Sequence, residues 1–162
     1  MIFVTVGTQL PFDRLVKAVD DWAASRGIKD VVAQAGQSKL DAAAIRTFPA
    51  APQAQIEEYE RAAQLIVGHA GIGTILAAAE LGKPLIIMPR RRCFGEHRND
   101  HQLATADRFR ERPGIYVAMS AEELHALLDG RDALAPAPES EPIGSPELIQ
   151  ALREFLGTGA GA

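Results

Sequence analysis

A short glycine-containing segment near the middle of the chain has the residue types that bind phosphate. It follows the apolar run Leu65 to Val67, leads into a helical pattern, and reads His69, Ala70, Gly71, Ile72, Gly73, Thr74. Glycines let a backbone approach a ligand closely, and free N–H groups at a helix start favour an anion. We therefore predict a phosphate here, with the Thr74 hydroxyl and the His69 imidazole as further donors. A tight turn in which Thr74 caps the helix is the structural alternative.

A second candidate phosphate loop, Gly7 to Gln9, follows the first apolar run of the chain. Gly7 and Thr8 are placed to offer N–H and hydroxyl donors to another phosphate. The loop lacks the third glycine of a dinucleotide fingerprint, and no Gly-Lys-Ser/Thr follows His69 to Thr74. An NAD-dependent oxidoreductase and a P-loop protein are therefore both disfavoured. A response-regulator receiver is excluded because Val4 to Val6 stands where that class needs acidic residues.

The segment from Arg90 to Gln102 is the most charged part of the chain, with four arginines and two histidines. Arginines at the carboxyl edge of a parallel sheet point towards a cleft, and a planar guanidinium suits phosphate or carboxylate oxygens. Arg91 and Arg98 are therefore candidate ligands. A solvated charged loop is the plain alternative. His97 and His101 lie four residues apart, but no third ligand accompanies them, so we expect no metal site.

Apolar runs and helical periodicities alternate along the chain, which predicts the elements that would position these loops. Alternation of this kind implies parallel strands, so we predict an α/β fold: a Rossmann-like open parallel sheet with helices on both faces. Ligands bind at the carboxyl ends of such strands. The expected strands are Ile2–Val6, Val31–Ala33, Ile45–Phe48, Leu65–Val67, Leu85–Met88 and Gly114–Ala118. The expected helices are Phe12–Ala23, closed by Gly27, then Gln53–Ala63, Ile75–Leu81, His101–Arg110, and Ala121–Leu128 with Ser120 as its N-cap.

Composition limits the chain to one main domain and a narrow set of partners. Its 162 residues are 47% hydrophobic and 23% charged, enough for one core, and the net charge of -4 offers no attraction to nucleic acid. Cys93 is the one cysteine, so no internal disulfide is possible. No apolar run reaches the roughly 20 residues that span a bilayer, and the N-terminus does not read as a signal peptide.

The last part of the chain is predicted to lie outside the main domain. Residues 129–144 are rich in alanine and proline and read as a linker. Residues 145–157 show an amphipathic helical pattern, which would pack on a partner or back on the domain. Residues 158–162 are expected to be disordered.

Four motifs, in order along the chain, resemble those of one family. They are Val4 to Thr8 with Phe12 and Asp13, then His69 to Thr74, then Glu80 to Pro84 with Pro89 beyond it, then Asn99 to Gln102. Together they resemble the C-terminal domain of glycosyltransferase family 28, and the resemblance extends from Met1 to about Leu128. It is greatest for the free-standing members: the donor subunit of the eukaryotic dolichol-linked N-acetylglucosaminyltransferase and the bacterial exopolysaccharide glucuronosyltransferase subunits of the PssE kind.

The resemblance implies that residues 1–128 form a UDP-sugar-binding domain that corresponds to the C-terminal half of a GT-B fold. The diphosphate of the donor would lie over the segment His69 to Thr74. The other positions that would hold the donor are Gly7 and Thr8 for the diphosphate, His101 and Gln102 for the sugar, and Gln34 and Gly36 on a loop facing the nucleotide.

One position departs from the family pattern. Many relatives carry a glutamate eight residues after the motif histidine, where it holds the ribose hydroxyls, whereas this chain has Ala77. Glu80 lies one turn further along the same helix. It is the expected replacement, because residues three apart share a helix face.

The reaction implied by the resemblance is transfer of a sugar from a UDP-sugar to a lipid-diphosphate-linked acceptor, with inversion, in exopolysaccharide or glycolipid synthesis. We expect this chain to be the donor-binding subunit, held at the cytoplasmic face of the membrane by a membrane-associated acceptor subunit that supplies the general base. Helix N–H groups, His69, Thr74 and Arg91 or Arg98 would stabilise the leaving UDP. No metal or other cofactor is expected.

The arginine-rich segment bears on the donor sugar. Guanidinium groups suit the carboxylate of a uronate, so UDP-glucuronic acid is favoured and UDP-N-acetylglucosamine is the next choice. The same arginines could instead serve the diphosphate or the partner subunit. A non-catalytic nucleotide-binding or scaffold module is the alternative function.

Overall fold

The computed structural model describes residues 1–136, which form one open sheet with helices on both faces. All six strands run parallel, in the order β3-β2-β1-β4-β5-β6. The strands are β1 (Ile2–Thr5), β2 (Val31–Gln34), β3 (Arg46–Phe48), β4 (Leu65–His69), β5 (Leu85–Met88) and β6 (Ile115–Val117). The helices are α1 (Asp13–Arg26), α2 (Gln53–Ala62), α3 (Ile72–Glu80), α4 (His101–Phe109) and α5 (Ala121–Asp129).

Two apolar cores cover the two faces of the sheet. Side chains of a strand point alternately to opposite faces, and in β1 Phe3 belongs to one core and Val4 to the other. Helices α1 and α5 fill the Val4 face, whereas α2, α3 and α4 fill the Phe3 face. The centre of the Val4 face is Trp22, which is fully buried and donates its indole N–H to Asp129 at the end of α5 over 2.8 Å.

Most element boundaries agree with those expected from the sequence, including both predicted helix caps. Gly27 adopts the left-handed conformation that ends α1, and its N–H bonds back to the last turn. Ser120 accepts a hydrogen bond from the N–H of Glu123 at the start of α5. The interior of the domain therefore follows from periodicity and local chemistry.

The start of α3 lies three residues earlier than expected, at Ile72 instead of Ile75. Glycine is a poor helix former, so the pattern of the sequence placed Gly73 in the preceding loop. In the structure Gly71 is the N-cap, and its carbonyl accepts the first helical hydrogen bond from the N–H of Ile75. Strand β4 also continues to His69, which leaves only two residues between strand and helix.

The connection from β2 to β3 contains no helix. Its backbone is held by Asp20 of α1, whose carboxylate accepts three hydrogen bonds from the N–H groups of Ala43, Ala44 and Ile45. This anchoring explains why the weakly patterned stretch before β3 keeps a defined path without regular structure.

The predicted linker, residues 129–144, starts too early, because its first residues pack on the domain. The Tyr116 hydroxyl donates to the carbonyl oxygen of Ala135 and accepts the N–H of the same residue, each over 3.0 Å. Asp129 is still the last residue of α5, and a short 3-10 turn follows at Arg131–Ala133. The rest of the predicted linker, the predicted helix at 145–157 and the tail at 158–162 lie outside the described residues. Within residues 1–136, no helix combines the length and the hydrophobicity needed to cross a membrane.

Replacing Ser120 with alanine tests the capping of α5. Ser120→Ala removes the acceptor for the N–H of Glu123, so we expect the free energy of unfolding to fall by about 1 kcal/mol, measured by urea denaturation. Ser120→Asp keeps an acceptor at the cap and should retain wild-type stability. Equal losses in the two variants would contradict a capping role.

Candidate functional site

A cleft of about 630 Å³ opens at the carboxyl edge of the sheet, where the loops after β1, β2, β3, β4 and β5 meet the N-terminal parts of α2 and α3. This is the position expected for a ligand in an open parallel sheet. The predicted site residues that line it are Gly7, Thr8, Gln34, Gly36, His69, Gly73, Thr74 and Gln102. The structure therefore brings together residues that the sequence separates by up to 95 positions.

His69, the last residue of β4, lies between two glycines that leave room for its ring. Gly7 has a positive φ of 76°, and a Cβ atom there would come within 2.7 Å of the ring carbon Cε1. A Cβ atom at Gly71 would overlap Nε2 of the same ring. Both glycines are thus required by the close approach of the imidazole, and Gly7 also by its backbone conformation.

The imidazole of His69 is neutral at physiological pH. Burial lowers its pKa to about 4, and the nearby guanidinium of Arg90 adds to the effect. The Thr5 backbone, within hydrogen-bonding reach of the ring, opposes this fall in pKa only in part, and Nδ1 is buried. The ring can therefore offer a ligand a hydrogen bond but not a positive charge.

The N-terminus of α3 faces the cleft without a side-chain cap. Gly73 and Thr74 lie in its first turn, so Thr74 is not the helix cap, and the alternative of a Thr74-capped turn is wrong. The N–H groups of a first turn have no partner within their own helix, and the helix dipole makes this end attractive to an anion. The residue types and the geometry both suit a phosphate group.

Gln34 lies on the cleft wall, but its hydrogen bonds are used within the protein. Its Oε1 accepts the Thr5 hydroxyl over 2.9 Å, while Nε2 donates to the carbonyl oxygens of Gly7 at 3.0 Å and Pro49 at 3.2 Å. The side chain therefore joins the loops after β1 and β3 and fixes their spacing. Gly36 follows with a positive φ of 60°, which turns the loop after β2 along the wall.

Arg90, which directly follows Pro89 at the end of β5, holds the loop after β1 against its own loop. It is 3% exposed, and its guanidinium donates to four carbonyl oxygens, those of Val6, Leu10, Pro11 and Glu96. Burial lowers its pKa to about 10, which leaves it charged at neutral pH. Sequence reasoning grouped Arg90 with its charged neighbours and missed this role, although its place after a buried strand was a usable signal.

Arg14 of α1 fixes the outer part of the same loop. It forms a two-bond ion pair with Glu96, over 2.7 and 2.8 Å, and donates to the Pro89 carbonyl oxygen. The other carboxylate contact of Glu96 is to the N–H of Arg91. Two charged side chains of the arginine-rich segment, Arg90 and Glu96, are therefore engaged in holding the loop in place and are not available to a ligand.

Several predicted site residues are not on the cleft lining. Gly71 lies beneath the His69 ring, and Glu80 is exposed at the end of α3. Arg91, Arg98 and His101 also lie away from the lining. Arg91 is partly buried against the Phe94 ring, and Arg98 and His101 are exposed.

Gln102 remains the member of the Asn99 to Gln102 motif that reaches the cleft. Its Oε1 accepts the N–H of Arg90 over 3.0 Å, which leaves the amide N–H groups without a partner among the described residues. His97 also lines the cleft, and its Nδ1 contacts Asn99.

Glu60 of α2 is a cleft residue that sequence reasoning missed. It is 6% exposed and lies on the cleft wall together with Ala77. The signal was its spacing: Glu60 falls four residues after Ile56, on the helix stripe that faces inwards. A carboxylate is unusual on a buried helix stripe, so Glu60 is a candidate ligand-binding residue.

No group of three or more potential metal ligands occurs in the part of the chain that the structure describes. His97 precedes α4 and His101 begins it, so the two rings do not share one helix face as the metal-site interpretation required. The groups on the cleft wall that can donate hydrogen bonds are backbone N–H groups, hydroxyls, amides and a neutral imidazole.

The family model named "glycosyltransferase family 28 C-terminal domain" matches residues 1–136. The chain belongs to this family. No match is found among curated proteins. The predicted family is thus confirmed on the same residues that form the sheet and the cleft.

Solved structures of glycosyltransferases have the same fold. ALG13, solved by NMR, is 22% identical with a TM-score of 0.63, and the match covers 93% of this chain and 94% of that one. MurG of Acinetobacter baumannii is 18% identical with a TM-score of 0.61, covering 80% of this chain and 40% of MurG. SnogD from Streptomyces nogalater is 22% identical with a TM-score of 0.54, covering 82% of this chain and 34% of SnogD.

These likenesses confirm the predicted fold class, a Rossmann-like open sheet corresponding to one half of a GT-B glycosyltransferase. The family 28 domain is a glycosyltransferase domain of the GT-B type. The match to this chain covers nearly all of ALG13 but well under half of MurG and of SnogD.

The partly buried His69 should make the stability of the domain depend on pH. The unfolded chain binds a proton on this ring near pH 6.5, whereas the folded protein does so only near pH 4. The unfolded state therefore holds more protons between these values, and the free energy of unfolding should fall by up to about 3 kcal/mol as pH drops through this window.

Denaturation curves of wild type and His69→Asn between pH 7 and 4 measure this contribution. The variant should show a flatter dependence, because it lacks the ring that the unfolded chain protonates. His101→Asn, at an exposed position, should retain the wild-type slope. Identical slopes for wild type and His69→Asn would contradict the assignment.

Proposed function

We propose that this chain is the donor-binding subunit of a two-component inverting glycosyltransferase and binds a UDP-sugar in the cleft at the carboxyl edge of its sheet. The observation that carries the proposal is the uncapped N-terminus of α3, which faces that cleft beside Gly7 and His69. In a family 28 domain, this end of the helix is the natural place for the donor diphosphate.

The cleft would act mainly by stabilising negative charge on departing UDP. First-turn N–H groups of α3, the Thr74 hydroxyl and an N–H of His69 are donors fixed in place before the reaction. Donors that need no reorganisation stabilise developing charge more effectively than water does. Because the His69 ring is neutral, we propose that it contributes a hydrogen bond and no ionic attraction.

The acceptor side of the reaction is assigned to a second subunit. The described residues match about 40% of the length of MurG, and a GT-B active site lies between two Rossmann-like domains. We propose a membrane-associated partner that binds a lipid-diphosphate-linked acceptor and supplies the general base, with this chain at the cytoplasmic face. The product would enter exopolysaccharide or glycolipid synthesis.

The proposed donor is UDP-glucuronic acid, with UDP-N-acetylglucosamine next. Support for a uronate comes from the arginine-rich segment, where the buried Nε of Arg91 has no partner among residues 1–136. To contact Arg91 or Arg98, the sugar carboxylate would extend beyond the cleft lining, past Gln102 and His97. The donor sugar is therefore best decided by titration.

Calorimetric titration of the purified chain with UDP, UDP-glucuronic acid, UDP-N-acetylglucosamine and NAD tests the donor site. We expect the UDP species to bind and NAD not to bind. A His69→Ala, Thr74→Ala double variant removes two donors and should weaken UDP binding at least about tenfold. Thr47→Ala, at an exposed position of β3, should bind like wild type.

The titration separates the possible outcomes. If the chain alone does not bind UDP, the measurement is repeated with the co-expressed acceptor subunit, and failure there overturns the proposal. UDP binding without sugar transfer in the complex would instead favour the non-catalytic nucleotide-binding module. Loss of binding in Thr47→Ala would show that the effect is not local to the cleft.

Gly73→Ala separates stability from binding. A Cβ atom at Gly73 meets nothing within 4 Å, and alanine is the better helix former, so the free energy of unfolding should rise by up to about 1 kcal/mol. The same methyl group enters the cleft at the first turn of α3 and should weaken UDP binding.

Gly27→Ala is the matched control with the opposite pattern. Its φ of +66° is strained for alanine, so stability should fall, but it lies away from the cleft and UDP affinity should be unchanged. Calorimetric affinities and thermal unfolding of both variants give the comparison. Unchanged UDP affinity in Gly73→Ala would show that the ligand does not approach this turn.

A further inference from the structure

The side chain of Glu60 is almost fully buried, yet its carboxyl group has no protein partner among the described residues. The residue is 6% exposed, and no hydrogen bond or ion pair joins its carboxyl group to another described residue. Its oxygens are not cut off from solvent and face the open cleft, whose wall Glu60 forms. A carboxylate placed in this way is free to accept hydrogen bonds from a ligand that enters the cleft.

The surroundings of Glu60 are acidic. Burial raises the pKa of its carboxyl group, and the charges of Glu57 and Glu80 raise it further, while Arg61 acts in the opposite direction. Arg61 is engaged with Glu57 on the helix surface, at 3.1 Å. A phosphate would be repelled here, so Glu60 is suited to receive a donor of hydrogen bonds and not an anion.

The position of Glu60 relative to the N-terminus of α3, the proposed phosphate site, matches the position of the ribose in a nucleotide. Glu60 on α2 and Ala77 on α3 line the cleft together, and the small Ala77 side chain leaves space beside the carboxyl group. Ala77 lies one turn beyond Thr74, about 4.5 Å along the axis of α3. A nucleotide places its ribose next to its diphosphate, at about this separation.

We propose that Glu60 is the ribose-binding residue of the cleft, with its two carboxylate oxygens accepting hydrogen bonds from the 2′ and 3′ hydroxyls of the bound nucleotide. The inference rests on the proposed function. It assigns to α2 a role that the sequence led us to expect of Glu80 on α3. A pair of neighbouring hydroxyls matches the two oxygens of a carboxylate, whereas the uracil ring offers a single N–H.

The inference is tested by titrating the full chain with UDP and with 2′,3′-dideoxyuridine diphosphate, which lacks both hydroxyls. Wild type should prefer UDP about tenfold or more, as expected for hydrogen bonds to a charged group. Glu60→Ala should bind the two ligands with similar affinity. Glu60→Gln keeps the size and one oxygen acceptor, and its preference should be intermediate.

Glu58→Ala is the matched control, since Glu58 is an exposed glutamate on the same helix, and it should keep the wild-type preference. Thermal unfolding of each variant checks the fold, and Glu60→Gln provides the comparison if Glu60→Ala does not fold. An unchanged preference for UDP in Glu60→Ala, or no preference in wild type, would overturn the inference and leave the proposed function standing. Absence of UDP binding, also with the acceptor subunit present, would overturn both.

Discussion

A single buried guanidinium determines the shape of the cleft. Arg90 is 3% exposed, yet within residues 1–136 it forms no direct ion pair. Its charge is balanced by four carbonyl oxygens, by Glu96 nearby and by the face of the Phe12 ring at 4.7 Å. Three of these carbonyls belong to the chain between β1 and α1, and one belongs to the loop after β5. The desolvation of the cation is compensated only while both loops keep their conformation. The two rims of the cleft are consequently one unit, in which the N–H of Arg90 also positions Gln102.

This arrangement gives the cleft two ends of different electrostatic character. At one end, the N-terminus of α3 and the Thr8 hydroxyl present hydrogen-bond donors without a full charge, because the ring of His69 is neutral and Arg90 is occupied by carbonyls. The N–H of Gly7, predicted as a further phosphate donor, is instead donated to the Thr5 hydroxyl over 3.2 Å. At the other end, α2 presents an acceptor, Glu60, among acidic neighbours. A ligand with an anionic middle and hydroxyl groups to one side is complementary to this distribution of donors and acceptors. The orientation of such a ligand in the cleft is set by the placement of donors at one end and the acceptor at the other, and it does not require a large net charge on the cleft wall.

The sequence was a good guide to the fold and to half of the site. Periodicity and capping chemistry are local, so the six strands, the turn at Gly27 and the cap at Ser120 could be read directly. The glycines around His69 were also recognisable, since few other roles need them. What could not be read was burial within charged segments. Position after a buried strand marks Arg90, and helix spacing marks Glu60, but neither signal gives the partner. Arg90 contacts carbonyls about 80 residues away, and Glu60 lies on the cleft wall beside α3, so their roles become evident only in the folded chain.

His69 and its two glycines behave as a single packing unit. The ring occupies the space that a side chain at Gly7 or Gly71 would need, and a Cβ atom at either position meets the imidazole. A methyl group can therefore be tolerated at Gly71 only after the ring has become smaller or has swung into the cleft, whereas Gly7 stays restricted by its positive φ even then. Substitutions at His69 and Gly71 are order-dependent: losing the histidine opens the way to a side chain at Gly71, and once that side chain is present the histidine cannot return. This pair of positions would therefore change by a one-way route.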